Sequence, residues 1–278
     1  MVETVTGPID AGTGGLEVDP DGNIYMSDFG ALLTGADGTR IFRVTPAGSV
    51  SVFASGFVGA TGSTFDADGN FLQANIGGNV ISRIHPDGAI DTLSSEGLVN
   101  PVGIILNAEG VLFVANCGNG TIGRVTPTGR TEVFAADSLL RCPNGIAAAS
   151  DGNLYVSNFA NGDVLRVDPS GTVTRLAALP GNNNGHLTWG NGVLYVAART
   201  ANQLYELHLD GSFRLLAGTG ERGLRDGPAL EATLSLPNDL ALSPDGSVLY
   251  WNDVGVLNPD PRVLAPTVVR SLTLDRGR

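Results

Sequence analysis

Short runs that alternate apolar and polar residues, broken by Asp-Gly and Pro-x-Gly turns, recur along the whole chain. The clearest case is Pro143 to Leu176. A small-residue run (Ile146 to Ala149) turns at Ser150-Asp151-Gly152 into an aromatic and β-branched run (Asn153 to Asn158). A polar turn, Phe159 to Gly162, leads to a third run (Asp163 to Asp168), and Pro169-Ser170-Gly171 turns into a fourth (Thr172 to Leu176). Alternation at period two between such turns predicts four antiparallel strands joined by hairpins.

Aligned on its first turn, the unit occurs six times, at Asp21-Gly22, Asp68-Gly69, Glu109-Gly110, Asp151-Gly152, Asn191-Gly192 and Asp245-Gly246. The spacing of about 40 to 55 residues suits the blades of a propeller. The expected fold is therefore all-β, a six-bladed β-propeller of four-stranded antiparallel blades. It forms one domain over residues 1–278, with blades near 14–55, 61–95, 101–136, 143–178, 184–217 and 237–275. The sixth unit runs out after its third strand (Thr267 to Leu274), so residues 2–6 are expected to supply the fourth and leave fewer exposed edges. Units one and six carry insertions, Phe29 to Gly38 and Val254 to Pro266, expected to shape a pocket. The third strand carries an arginine column (Arg43, Arg83, Arg124, Arg166, Arg270), with Glu206 in its place in unit five. That column is expected to pair between blades.

Composition narrows the chemistry. The formal charge of -12 argues against nucleic acid or an anionic membrane as partner. No apolar run approaches the ~18 residues of a membrane span. The opening MVETVTGP has neither a basic start nor an apolar core, so no export signal is read. All basic residues are arginine, which excludes Schiff-base chemistry and a lysine base. Histidine occurs only as His85, His186 and His208, and no G-x-S-x-G elbow is present. Cys117 and Cys142 fall at the same end of adjacent units, as a free pair or a disulfide. A bridge would point to a secreted or periplasmic setting; otherwise the compartment is open.

The loops between second and third strands of a propeller converge on one mouth of its axis, where small-molecule sites are favoured. One ring there reads Gly14, Thr61, Val102, Asn144, Asn184 and Asn238. Two outliers stand in the otherwise apolar or small columns of the inner strands, Glu17 and His186. A buried ionisable group is costly unless paired, so both are candidates for proton transfer. The alternative has Glu17 paired with an arginine in a crevice and His186 hydrogen-bonded to a loop. A further ring, Asp28, Asn75, Asn116, Asn158, Ala198 and Asp253, reads mostly as turn caps. The DPDGN and DADGN segments read as turns, since they lack the downstream glutamate of an EF-hand loop.

The linker from Leu216 to Gly246, LAGTGERGLRDGPALEATLSLPNDLALSPDG, resembles the joints between blades of NHL-repeat proteins. Its G-x-G-x-x-G lacks the βαβ setting of a dinucleotide site. The PNGIA and PNDLALSPDGSVLYWND segments resemble the gluconolactonase and senescence-marker family, and IGRVTPTGRTEVF is similar to virginiamycin B lyases, which have seven blades. The gluconolactonase resemblance implies a divalent cation, calcium or magnesium, held by oxygen ligands at the mouth. Carried onto this chain, the ligand set is Asn144, Asn184, Asn238 and an aspartate, Asp239 or Asp253, with Asp28 and Glu17 as further candidates. Gly14 stands where the family has glutamate, and Asn184 where it has aspartate. The expected function is a small-molecule hydrolase of lactonase or esterase type, acting as a monomer, with His186 or Glu17 taking the proton from water. The alternatives are a non-enzymatic, ligand- or protein-binding propeller of the NHL kind and a lyase similar to virginiamycin B lyase.

Overall fold

The computed structural model describes residues 1–274; the expected end of blade six at 275 lies outside them. Six four-stranded antiparallel sheets are arranged as blades. In blades one to five the sheet order follows the chain, from the innermost strand outward. In blade four the strands are Pro143–Ala148, Leu154–Asn158, Asp163–Val167 and Val173–Ala178, within a few residues of the runs read from the sequence.

Burial explains the difference between the runs. Second strands such as Leu154–Asn158 and Leu112–Asn116 are buried at every position, because each blade is sandwiched between two others. Aromatic and β-branched residues suit such strands. The outer strand of blade one, Val50–Ser55, is largely exposed and reads less regularly. The core lies between blades. Met26 and Phe42 of blade one meet Ala241 and Val269 of blade six, and Leu72 and Ile81 of blade two meet Ile104 and Val114 of blade three. Each fully buried large side chain contributes roughly 1.5–3 kcal/mol.

The sixth sheet has the order Val2–Thr4, Thr267–Thr273, Val248–Val254, Leu240–Leu242. The N-terminal strand therefore completes the last blade, with Val2 opposite Leu272 and Thr4 opposite Arg270. The linker between blades five and six fastens it from the other side. Asp226 accepts hydrogen bonds from the Thr4 amide and hydroxyl, and Gly227 exchanges backbone hydrogen bonds with Val2.

Where the arginine column forms ion pairs, they run within a blade or to the linker rather than between blades. Arg83 pairs with Asp91 and Arg124 with Glu132, each on the outer strand of its own blade. Glu206 is the same pair with signs exchanged, since it meets Arg214. Arg270 is fully buried and pairs with Asp253 of the neighbouring strand and Asp226 of the linker. A strand's side chains meet those directly across the hairpin, so the nearest opposite charge is a blade-mate.

Candidate functional site

Four of the inner strands begin with a bulge. In blade four Pro143 lies opposite Asn158 and Ile146 opposite Val156, so the strand carries one extra residue at Asn144-Gly145. Similar shifts occur between Thr13 and Leu16, Ala60 and Ser63, and Pro101 and Ile104. The strand thus starts earlier than its apolar run, and the bulge turns the ring residue before the glycine toward the mouth.

The glycines of this ring hold the blades together at the axis. They are Gly15, Gly62, Gly103, Gly145 and Gly185, one in each of the first five blades. A Cβ on Gly62 would stand 2.7 Å from the Val102 carbonyl oxygen, and one on Gly145 2.5 Å from the His186 Cα. No side chain fits there. In blade six the equivalent place is taken by Asp239. Its carboxylate spans the seam between blades six and one, with Oδ2 accepting the Leu16 amide at 2.9 Å and Oδ1 accepting its own neighbour, the Leu240 amide, at 2.7 Å.

The same Oδ2 lies 3.3 Å from Nδ1 of His186, which blade five brings in from the other side. Both residues are 5% exposed. Burial pushes the Asp239 carboxyl up to about 7 against its two amide hydrogen bonds, and pushes the imidazole down to about 4. At neutral pH the pair therefore shares a single proton rather than forming a full ion pair. Glu17 lies in the channel beneath, where burial raises it to about 8, the Val18 amide opposes the rise and the Asp239 charge adds to it. Two of the three axial groups are thus the outliers of the sequence, and the third is the break in the glycine ring.

His186 forms a partition between two spaces. Toward the mouth is a cavity of about 200 Å³ walled by Phe29, Leu33, Ile76, Val102, Phe159 and Leu264. Asn144, Asn238 and Arg199 supply most of its polarity, and the Cys117–Cys142 disulfide forms part of the wall. On the other side an axial channel of about 120 Å³ carries Glu17, Ser63 and Asp239. The two insertions meet over the seam between blades one and six. The Leu33 amide donates to the Arg262 carbonyl and the Leu264 amide to the Ala31 carbonyl, while Phe29, Leu33 and Leu264 pack in one cluster. They build one wall of the cavity together.

The sequence-derived ligand set is scattered. Asn144 and Asn238 reach the cavity, and each donates its amide NH₂ to a neighbouring blade, to the Asn184 carbonyl and to the Thr13 and Gly14 carbonyls. Asn184 is fully buried, with Nδ2 on the Asp163 carbonyl and Oδ1 lacking a donor, and it does not line the cavity. Asp253 lies in the buried pair with Arg270, and Asp28 caps the turn at the Gly12 and Gly30 amides. His85 and His208 sit on the surface beside Asp91 and Glu206. Among the described residues no three His, Cys, Asp or Glu side chains gather in a metal-binding group. The divalent cation implied by the resemblance fits this donor set poorly. The mouth offers two amide oxygens, the Thr13 and Thr61 hydroxyls and an imidazole but no carboxylate, and Arg199 places a positive charge among them.

Arg199 escaped the sequence reading. It follows the second strand of blade five, Val193–Ala198, in a short 3-10 turn, Arg199–Ala201. The only signal was a charged residue directly after VLYVAA, where other units place Phe, Ile, Cys or Val.

A virginiamycin B lyase from Staphylococcus aureus shares 15% identity over 99% of this chain and 100% of its own, with a TM-score of 0.68. A gluconolactonase from Xanthomonas campestris shares 15% over 98% and 89%, with a TM-score of 0.73. A Bacteroides thetaiotaomicron protein of unknown function shares 15% over 97% and 75%, with a TM-score of 0.77. At such identities the likeness is one of fold. No curated protein matches the chain. The model of the virginiamycin B lyase family matches residues 7–207, from before blade one to the third strand of blade five, including His186 and Arg199. The chain belongs to the virginiamycin B lyase family.

Proposed function

We propose that the protein opens a lactone or ester bond in a small, largely apolar molecule held in the mouth cavity, with His186 as the base. The observation that carries this reading is the buried His186–Asp239 pair at the cavity floor. Once Asp239 is ionised it accepts the Nδ1 proton, which leaves the Nε2 lone pair free to take one from substrate. In an elimination the proton comes from the carbon β to the leaving oxygen. The C–H electrons form a C=C bond, the C–O bond breaks, and the leaving carboxylate keeps its electron pair. Family membership and the apolar walls favour this lyase route. Hydrolysis is the second reading, because His186 also borders the polar axial channel.

Calcium or magnesium would have to be held by Asn144 and Asn238 with His186, and no step here runs through a metal. The test is a panel of aryl and alkyl lactones in water enriched in heavy oxygen, with and without chelator. Ring opening without solvent oxygen supports the lyase, and incorporation supports the hydrolase. His186→Ala should cost on the order of 10²- to 10⁴-fold in rate. A full rate in His186→Ala would remove the proposed base. A metal requirement would appear as loss of rate with chelator and recovery on calcium addition. No turnover on any lactone, with ligand still bound at the mouth, would leave a binding propeller.

A further inference from the structure

Arg199 is 3% exposed, yet its guanidinium makes no ion pair or side-chain hydrogen bond to any described residue, and Nη2 is fully buried without a partner. It lines the mouth cavity, whose described lining contains no carboxylate. The other buried arginine shows how unusual this is. Arg270 has two aspartates and two backbone carbonyls for its guanidinium. The charge that acts on Arg199 is another cation, Arg222, whose own nitrogens are turned onto the Ser235 hydroxyl and the Asn258 carbonyl. A protein with a formal charge of -12 thus keeps an unneutralised positive centre at its mouth. An isolated buried charge is strongly unfavourable unless a partner arrives.

We propose that Arg199 is the recognition residue for a carboxylate on the ligand, so that the mouth selects small apolar acids. The planar fork of a guanidinium matches a carboxylate with two parallel hydrogen bonds. Phe29, Phe159, Ile76 and Val102 supply the apolar contact for the rest of the molecule. The cavity of about 200 Å³ holds only a handful of groups at about 30 Å³ each, which limits the ligand core to something near the size of one ring. Arg199 still carries its charge at neutral pH, since burial lowers it only to about 10. The inference rests on the mouth cavity being the substrate site.

Phenylacetate and phenylacetamide differ in charge and little in shape, and neither has a lactone or ester bond to open. Calorimetry on the full chain therefore reads recognition separately from turnover, and failure of the lactone chemistry leaves this result standing. Phenylacetate should bind about tenfold or more tightly than the amide. Arg199→Met should erase that preference and should also unfold at a higher temperature than the wild type, because the lone buried charge is gone. Arg199→Lys should keep part of the preference. Equal or absent binding of the two probes by the wild type would overturn the proposal, and so would a preference surviving in Arg199→Met. A lower unfolding temperature for Arg199→Met would show that the guanidinium serves the fold instead.

Discussion

The proton between Asp239 and His186 decides which imidazole nitrogen can act. While Asp239 is protonated it donates to Nδ1, the ring keeps its hydrogen on Nε2, and the atom facing substrate is not a base. Ionisation of Asp239, raised to about 7 by burial, reverses the tautomer. Turnover should therefore rise with pH through about 7, and Asp239→Asn should flatten that profile and lower the rate. A pH–rate series on both proteins checks this. Glu17 gives a stability prediction. The folded chain keeps its proton up to about 8, whereas an unfolded glutamate loses it near 4.5. Between those values the folded state binds more protons, so stability falls as pH rises, by at most about 1.4 kcal/mol per pH unit. Glu17→Gln should consequently gain stability over the wild type at pH 8 and little at pH 5, as read by urea unfolding. Glu17 and His186 were legible as ionisable residues in apolar columns. Arg199 was not, because the residues that share its cavity come from insertions and blades distant in sequence, which no local pattern encodes.

At the scale of strands and loops, turn chemistry and alternation were enough to place the blades. Asp151 shows why. Its carboxylate accepts the Asn153 amide and the Tyr155 hydroxyl, while Gly152 adopts a φ of 81°, a conformation natural only to glycine. The bulges at the strand starts were not legible, because Pro143-Asn144-Gly145 has no apolar periodicity. Their glycines are required by the neighbouring blade's backbone rather than by their own turn. Gly62→Ala should therefore destabilise the protein by more than the roughly 1 kcal/mol usual for a point change, while Gly192→Ala is strained only by its φ of 80°. Thermal unfolding of the two variants compares them. The Cys117–Cys142 bridge closes a separation of 25 residues and joins blades three and four at the mouth. The double serine variant should lose about 3 kcal/mol in a chain-entropy account and loosen that wall of the cavity. Chemical denaturation gives the first quantity and phenylacetate affinity the second.

For the molecule as a whole, six blades were legible from spacing alone, and the missing sixth-blade strand pointed to residues 2–6. Closure depends on three separate devices around the sixth blade: the Val2–Thr4 strand, the Asp226 clamp and the Asp239 carboxylate across the seam. Deleting residues 1–6 should bare the Thr267–Thr273 edge and cause concentration-dependent association, visible by light scattering.

The interlocked seam also sets an order of events in synthesis. Val2–Thr4 leaves the ribosome before the five blades that separate it from its partner, and Thr267–Thr273 leaves after them. A contact spanning that much chain carries a large loop-closure entropy and forms late. Asp239, the floor carboxylate, and Leu264, on the mouth wall, both belong to the part that arrives late. A nascent chain that has folded its first five blades thus holds His186 and Arg199 without the partner that sets the imidazole or the wall that dries the guanidinium. The complete mouth cavity is a property of the finished ring, and a half-made chain does not yet have it.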